Sequence, residues 1–361
     1  MNTDLLFQLY AIHSPSGGEK KMRKFIKRYI CKNCGDCKVE QDNSGNLLVT
    51  KGVSETYPCL ASHIDQVQKN HSKDFTCVVV GDKVIGWSCK SQSQQGLGAD
   101  DKNGIFVCLE CLRMYDVMKC AFFVGEEVGC VGSNAVDLEF FKDCRFIVEP
   151  DRMNGHDLIT SMFVGGVCSE DFIKAIGADA YGYKEAEGSI TDVGELIERG
   201  VGISCLNLSC GYYGAHTDHE ITVLSELRNC LDFVCHIVET CTDVYTYEYV
   251  DRWATYYGGY HYGRGLSRSG TYLDDEEEYY NDGYHDEDIT MMSEYLRYGI
   301  SLQELQTTYL QDFYACEFLG MEGAKGVIED IFTFLKDEET WKDEEDFDES
   351  VSEIMKELKV S

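Results

Sequence analysis

Between Cys59 and Glu239 the chain repeats one pattern: a short apolar run, a polar cluster, then an amphipathic stretch. The runs Cys59–Ile64, Ala121–Val124, Arg145–Val148, Leu158–Phe163 and Gly202–Leu208 are mostly apolar on both faces, which predicts buried strands. Asp101–Tyr115, Ser133–Phe141, Thr191–Arg199 and Thr222–Glu239 read as helices. In the first of these Ile105, Cys108, Leu109 and Leu112 share one stripe. A helix between successive strands makes each connection a crossover, so the pattern predicts an α/β fold with a mainly parallel central sheet and helices on both faces.

Ahead of this region, Leu5–Tyr10 and Gly18–Ile30 read as helices joined by His13-Ser14-Pro15-Ser16-Gly17, with Ser16 placed to cap the second. Asp42-Asn43-Ser44-Gly45-Asn46 is a turn before the strand Leu47–Thr50. Phe75–Val80 and Lys83–Trp87, separated by Gly81-Asp82, predict a hairpin. Behind it the composition shifts. Residues 251–361 carry a net charge of −19, against −13 for the first 250. Residues 1–242 are therefore read as one catalytic-size domain, 243–290 as an acidic, Tyr- and Gly-rich linker, and 291–361 as a small helical appendage with an acidic tail. Leu302–Leu319, Ala324–Leu335 and Val351–Leu358 are its candidate helices.

The whole chain carries 64 acidic and 32 basic residues, and this excess opposes binding to nucleic acid or to an anionic membrane. No apolar run reaches the roughly 20 residues that span a bilayer, and Met1–Gln8 has no signal-peptide character. The 18 cysteines are scattered through strands and helices, which fits reduced thiols in a cytoplasmic protein. Cys31, Cys34 and Cys37 are spaced like zinc ligands but have no adjacent fourth, so they read as free thiols at a helix end.

Five polar motifs stand where the predicted strands stop: Ser62-His63-Ile64-Asp65, Gly98-Ala99-Asp100-Asp101-Lys102, Gly125-Glu126-Glu127-Val128-Gly129, Val148-Glu149-Pro150-Asp151-Arg152 and Gly214-Ala215-His216-Thr217-Asp218-His219-Glu220. Each alone has an ordinary explanation, a helix cap or a solvated loop. Together they bring two histidines and several carboxylates to strand termini, where open α/β sheets bind ligands. That donor set suits divalent metals, zinc in particular. On an extended chain His63 and Asp65 share a face, so the carboxylate can orient the imidazole.

These motifs, with Ser14-Pro15-Ser16-Gly17 and Asp42-Asn43-Ser44-Gly45-Asn46-Leu47, resemble the co-catalytic di-zinc exopeptidases. That superfamily includes peptidase T, the glutamyl aminopeptidases and related carboxypeptidases and deacylases. The resemblance covers roughly residues 1–242 and implies two Zn²⁺, or Co²⁺ or Mn²⁺ in their place. It implies that Asp100 bridges the metals, that His63 and a carboxylate of the fourth motif complete one position, and that Glu127 and His216 complete the other. Glu126 is then the general base and Asp65 the partner of His63. Relatives use either Glu149 or Asp151 for the fourth motif; Pro150 disturbs strand alternation, and the residue nearest the sheet mouth, Asp151, is favoured.

Only 36 residues separate His63 from Asp100 and 64 separate Asp151 from His216, so neither gap holds the lid or dimerisation domain of many relatives. An oxyanion-stabilising histidine would have to come from His13, His71, His156 or His219. The expected activity is aminopeptidase action on short peptides. The alternatives are a carboxypeptidase, a deacylase of N-acyl amino acids, or a non-catalytic interaction protein; oligomeric state is not legible.

Overall fold

The computed structural model describes residues 1–162 and 165–249. The end of the strand expected at Leu158–Phe163, most of the linker, and the appendage with its three expected helices lie outside them.

The main sheet has nine strands, and its central four are mutually parallel. Their order is Met118–Phe123, Tyr57–His63, Cys144–Arg152, Cys205–Ser209. Every residue of Tyr57–His63 and Met118–Phe123 is buried, as strands covered on both faces require. Antiparallel pairs flank this centre. Leu47–Lys51 and then Cys37–Gln41 extend one edge, and Asp157–Met162 with Gly165–Gly166 extends the other. Lys184–Gly188 joins Asp157–Met162 in parallel. The expected α/β architecture is what forms, with parallel pairing confined mostly to the centre.

The helix Ala99–Met114 packs on the sheet and is covered in turn by Thr3–Tyr10, Lys20–Asn33 and Leu224–Thr240, so its residues 99–112 are all buried. In Lys20–Asn33 the buried side chains are Met22, Ile26 and Ile30, a four-residue spacing that gives one apolar stripe. Asp192–Glu198 and the short Val131–Ala135 pack on each other and on the sheet strands.

Several local expectations change. Ser16 does not cap a helix; the second helix starts at Lys20, and the Ser16 hydroxyl goes to Asp65 instead. Ser133–Phe141 is not one helix. Val136 is extended between Val131–Ala135 and a 3₁₀ turn at Leu138–Phe141, and the Arg199 guanidinium takes the carbonyls of Ser133 and Val136 freed by the break. The last helix begins at Leu224 because Ile221–Val223, a β-branched triplet, pairs with Lys83–Ile85. The expected hairpin is present and is part of a second, five-stranded sheet with Ser93–Gln95, Ile221–Val223 and Tyr212–Tyr213.

Residues 243–249, where the linker was read to begin, lie along the sheet. Tyr245 N–H donates to the Arg145 carbonyl (2.9 Å) and its carbonyl accepts from Ser204 N–H (2.7 Å). The Tyr247 hydroxyl donates to the Gly166 carbonyl (2.8 Å).

Candidate metal centre

Parallel strands send their carboxyl ends to one side, and the five motifs meet there. His63 is the last residue of Tyr57–His63. Glu126 and Glu127 open a 3₁₀ turn just after Met118–Phe123. Asp151 is the penultimate residue of Cys144–Arg152. Asp100 stands at the start of Ala99–Met114, where its own φ/ψ is still non-helical. His216 comes from the loop between Tyr212–Tyr213 and Ile221–Val223, in a left-handed conformation with φ 64°.

Asp100 divides its two oxygens between the histidines. Oδ1 lies 3.0 Å from His63 Nε2 and Oδ2 lies 3.2 Å from His216 Nε2. His63 Nε2 is also 3.3 Å from Asp151 Oδ1 and 3.9 Å from Glu126 Oε2. His216 Nε2 is 3.0 Å from Glu127 Oε2. Three overlapping groups result, each with donor atoms within 4.8 Å: His63, Asp100 and Asp151; His63, Glu126 and Glu127; Asp100, Glu127 and His216. Cys31, Cys34 and Cys37 form no such group among the described residues. A cleft of about 160 Å³ lies over the cluster, with Met153, Ile159 and Ile190 on its apolar side.

The electrostatics of this cluster call for cations. Burial pushes the Glu126 carboxyl well above its ordinary value, and Asp151, Asp192 and Glu127 add repulsion. Burial raises Asp151 in the same way, with Asp100 and Glu149 adding to it. Burial alone would lower the His63 imidazole, but Asp151, Asp100 and Asp65 raise it well above its usual value. Hydrogen bonds to Asp100 and Glu127 lift His216 to about 10. Protons thus stand in for positive charge among converging carboxylates. Glu127 Oε1 and Asp151 Oδ1 are buried with no hydrogen-bond partner, as oxygens reserved for a metal would be. Hard oxygen donors and two imidazoles fit one or two divalent ions such as zinc.

The supporting contacts are specific. Asp65 Oδ1 lies 3.4 Å from His63 Nδ1 and accepts the Glu126 N–H (3.1 Å), while Oδ2 accepts the Ser16 hydroxyl (2.7 Å). One carboxylate therefore orients both His63 and the turn that bears Glu126. The Asn46 amide fixes that turn from the other side, accepting Val124 N–H (3.0 Å) and donating to the Gly132 carbonyl (2.9 Å). Asp101 Oδ1 accepts Gly104 N–H (2.8 Å), so close that a Cβ on Gly104 would lie 2.4 Å from the carboxylate.

Of the fourth-motif pair, Asp151 joins His63 and Asp100. Glu149 lies deeper, accepting the Thr191 hydroxyl and Val193 N–H (3.2 Å). None of His13, His71, His156 and His219 lines the cleft. His13 stacks on His71, which stacks in turn on Phe75, and His156 packs against Tyr183. Sequence reasoning missed Asn207, whose side chain accepts Asp151 N–H (3.3 Å) and donates to Thr191 (3.1 Å). It also missed Tyr212, whose hydroxyl donates to the Asp151 carbonyl (2.7 Å), and the buried Asp192. Nothing in a linear motif marks these contacts.

The structure resembles three solved enzymes in particular. Aminopeptidase PepT from Bacillus cereus aligns with TM-score 0.57 and 14% identity, covering 67% of this chain and 98% of that one. A tripeptidase from Staphylococcus aureus gives 0.53 and 16%, covering 66% and 97%. An aminopeptidase from Desulfurococcus kamchatkensis gives 0.52 and 14%, covering 67% and 96%. The chain shares its fold with these three peptidases. No protein-family model and no curated protein matches its sequence. Within this fold the two short gaps carry no inserted domain among the described residues: 64–99 supplies the hairpin and Ser93–Gln95, and 152–215 supplies strands and helices of the main body. No helix among the described residues is long and apolar enough to cross a membrane.

Proposed function

We propose that the chain is a metal-dependent exopeptidase that releases N-terminal residues from short peptides. The observation that carries this reading is the division of Asp100 between His63 and His216, with Glu126 beside it, in an aminopeptidase fold. His63, Asp100 and Asp151 would hold one divalent ion, and Asp100, Glu127 and His216 a second. Such a pair supplies Lewis acidity to the scissile carbonyl and makes water acidic enough to lose a proton near neutral pH.

The rest is the work of the chain. Glu126, largely buried and raised in pKa, takes the proton of the attacking water and returns it to the leaving amine. Asp65 keeps the His63 ring in place and aims Glu126 through its backbone. Met153, Ile159 and Ile190 give the cleft an apolar side against which a substrate side chain can rest.

The test is metal analysis of purified protein with a panel of aminoacyl, peptide and N-acyl substrates. Close to two divalent ions per chain and cleavage of free-amine substrates are expected. Cleavage of N-acyl amino acids or of C-terminal residues alone would transfer the assignment to a deacylase or carboxypeptidase. An active metal-free chain would end it.

A further inference from the structure

The fifth motif runs four residues past His216 to Glu220, which the reading above leaves unused. Glu220 is fully buried and does not line the cleft. Its Oε2 accepts Ala99 N–H (3.0 Å) and the Gln68 amide (3.3 Å), and its Oε1 accepts Asp100 N–H (3.3 Å). The carboxylate therefore grips two successive amides at the point where Asp100 leaves the backbone. Gln68 belongs to the segment that follows His63 and Asp65. It is held by the Gln66 amide (3.1 Å), which is held in turn by the buried Lys102 ammonium (2.6 Å). The segments bearing His63, Asp100 and His216 converge on this one side chain.

Burying a carboxylate is costly unless its oxygens are used. A plain loop tie needs no carboxylate; two successive backbone N–H groups, each bonded to a different oxygen of one side chain, do call for two acceptors on one rigid group. Among the described residues, Asp100 is the only carboxylate within ion-pair distance of both histidines. A turn of its peptide would swing that shared carboxylate away from one of them.

We infer that Glu220 is a positioning residue that locks Asp100 to the His216 loop, so that the two metal positions fill as a coupled pair. This rests on the metallo-exopeptidase reading. Residues that hold metal-binding side chains from behind typically govern 10–100-fold in metal affinity.

The test titrates metal-stripped wild type, Glu220→Gln and Glu220→Asp with cobalt(II), read by equilibrium dialysis and by the d–d absorption of the bound ion. Wild type should take up two ions cooperatively. Glu220→Gln keeps the size but turns an NH₂ toward one of the two amides. It should bind the first ion nearly normally, bind the second about 10–100-fold more weakly, and show an altered cobalt spectrum. Glu220→Asp keeps the charge and should recover part of the loss. Two cobalt ions bound alike by all three proteins would overturn the inference alone, as would a variant whose only defect is a lower melting temperature. If Glu220→Gln does not fold, Glu220→Asp decides, and a wild-type second step in it overturns the inference. A wild-type chain that takes up no cobalt overturns the exopeptidase reading itself, and this inference with it.

Discussion

The two halves of the candidate metal centre are built differently although they share Asp100. The His63 half stands on the ends of neighbouring parallel strands, and the His63 side chain is fully buried with Asp151 beside it. The His216 half stands on turns: Glu127 comes from a 3₁₀ turn, and His216 from a loop with positive φ and a side chain 50% exposed. Strand ends held by a hydrogen-bonded ladder move little, while loop residues rearrange at lower cost. The expectation is that the two positions fill together but that damage to the centre frees the His216 position first, and the following experiments can break or sharpen that contrast.

The largest effect should come from Glu126, which is read as a ligand of neither half. Glu126→Gln should lower turnover by about 10²–10⁴-fold with metal content unchanged, measured by steady-state kinetics and elemental analysis. Unequal metal loss would show that Glu126 belongs to one half after all. Next come the histidines. His63→Ala should release metal and also lower the melting point of the metal-free protein, because it strips the cation from buried Asp100, Asp151 and Asp65. His216→Ala should release the ion of its own half and lower that melting point less, because its side chain is 50% exposed and its pairing with Asp100 and Glu127 is screened by water. Equal melting points would remove the structural basis of the contrast.

Asp151→Ala should lower metal occupancy more than Glu149→Ala, since Asp151 faces His63 while Glu149 holds Thr191 and Val193. The converse result, or a Glu149 oxygen at about 2.0–2.2 Å from a bound ion, would reassign the fourth position. A gentler probe is pH. With its pKa raised to about 10, His216 is protonated at neutral pH in the metal-free chain, so an ion must displace that proton. Apparent affinity for the second ion should rise by about tenfold per pH unit up to about 10 and then level off. The stability that the proton lends the metal-free chain runs the opposite way: it is complete below the unfolded pKa near 6.5 and lost as pH rises through about 10. The smallest effect is expected from ending the chain after residue 249, which removes none of the proposed ligands and should leave metal uptake intact. Ending it after Thr242 also removes Tyr245 and Tyr247 from Arg145, Ser204 and Gly166, and should lower the melting temperature. A truncated chain that fails to fold would show that residues 250–361 belong to the core.

What the sequence made legible was whatever lies contiguously along it. Buried parallel strands announce themselves as apolar runs, and a site at strand ends follows as polar clusters behind them. Lys184–Gly188 was not legible, because an edge strand reading Lys-Glu-Ala-Glu-Gly shows mainly its exposed charges. Cys37–Gln41 was hidden for the same reason. Ser16 was read as a cap because Asp65, its actual partner, is 49 residues away. Asn207, Tyr212 and Glu220 act through contacts that only the fold creates, the last across 120 residues to Asp100.

The strand order has a consequence for how the chain comes into being. Tyr57–His63 is made early but lies between two strands made later, Met118–Phe123 and Cys144–Arg152. During synthesis His63 must wait until residue 152 has emerged before both flanks of its strand are covered, and Asp100 waits for His216 and Glu220. Non-local pairings of this kind close slowly and leave incomplete chains with bare strand edges. The centre is thus among the last features to be finished, so its donor groups cannot gather before the sheet has closed. Assembly of these donors is in this sense a checkpoint on the folding of the first 220 residues.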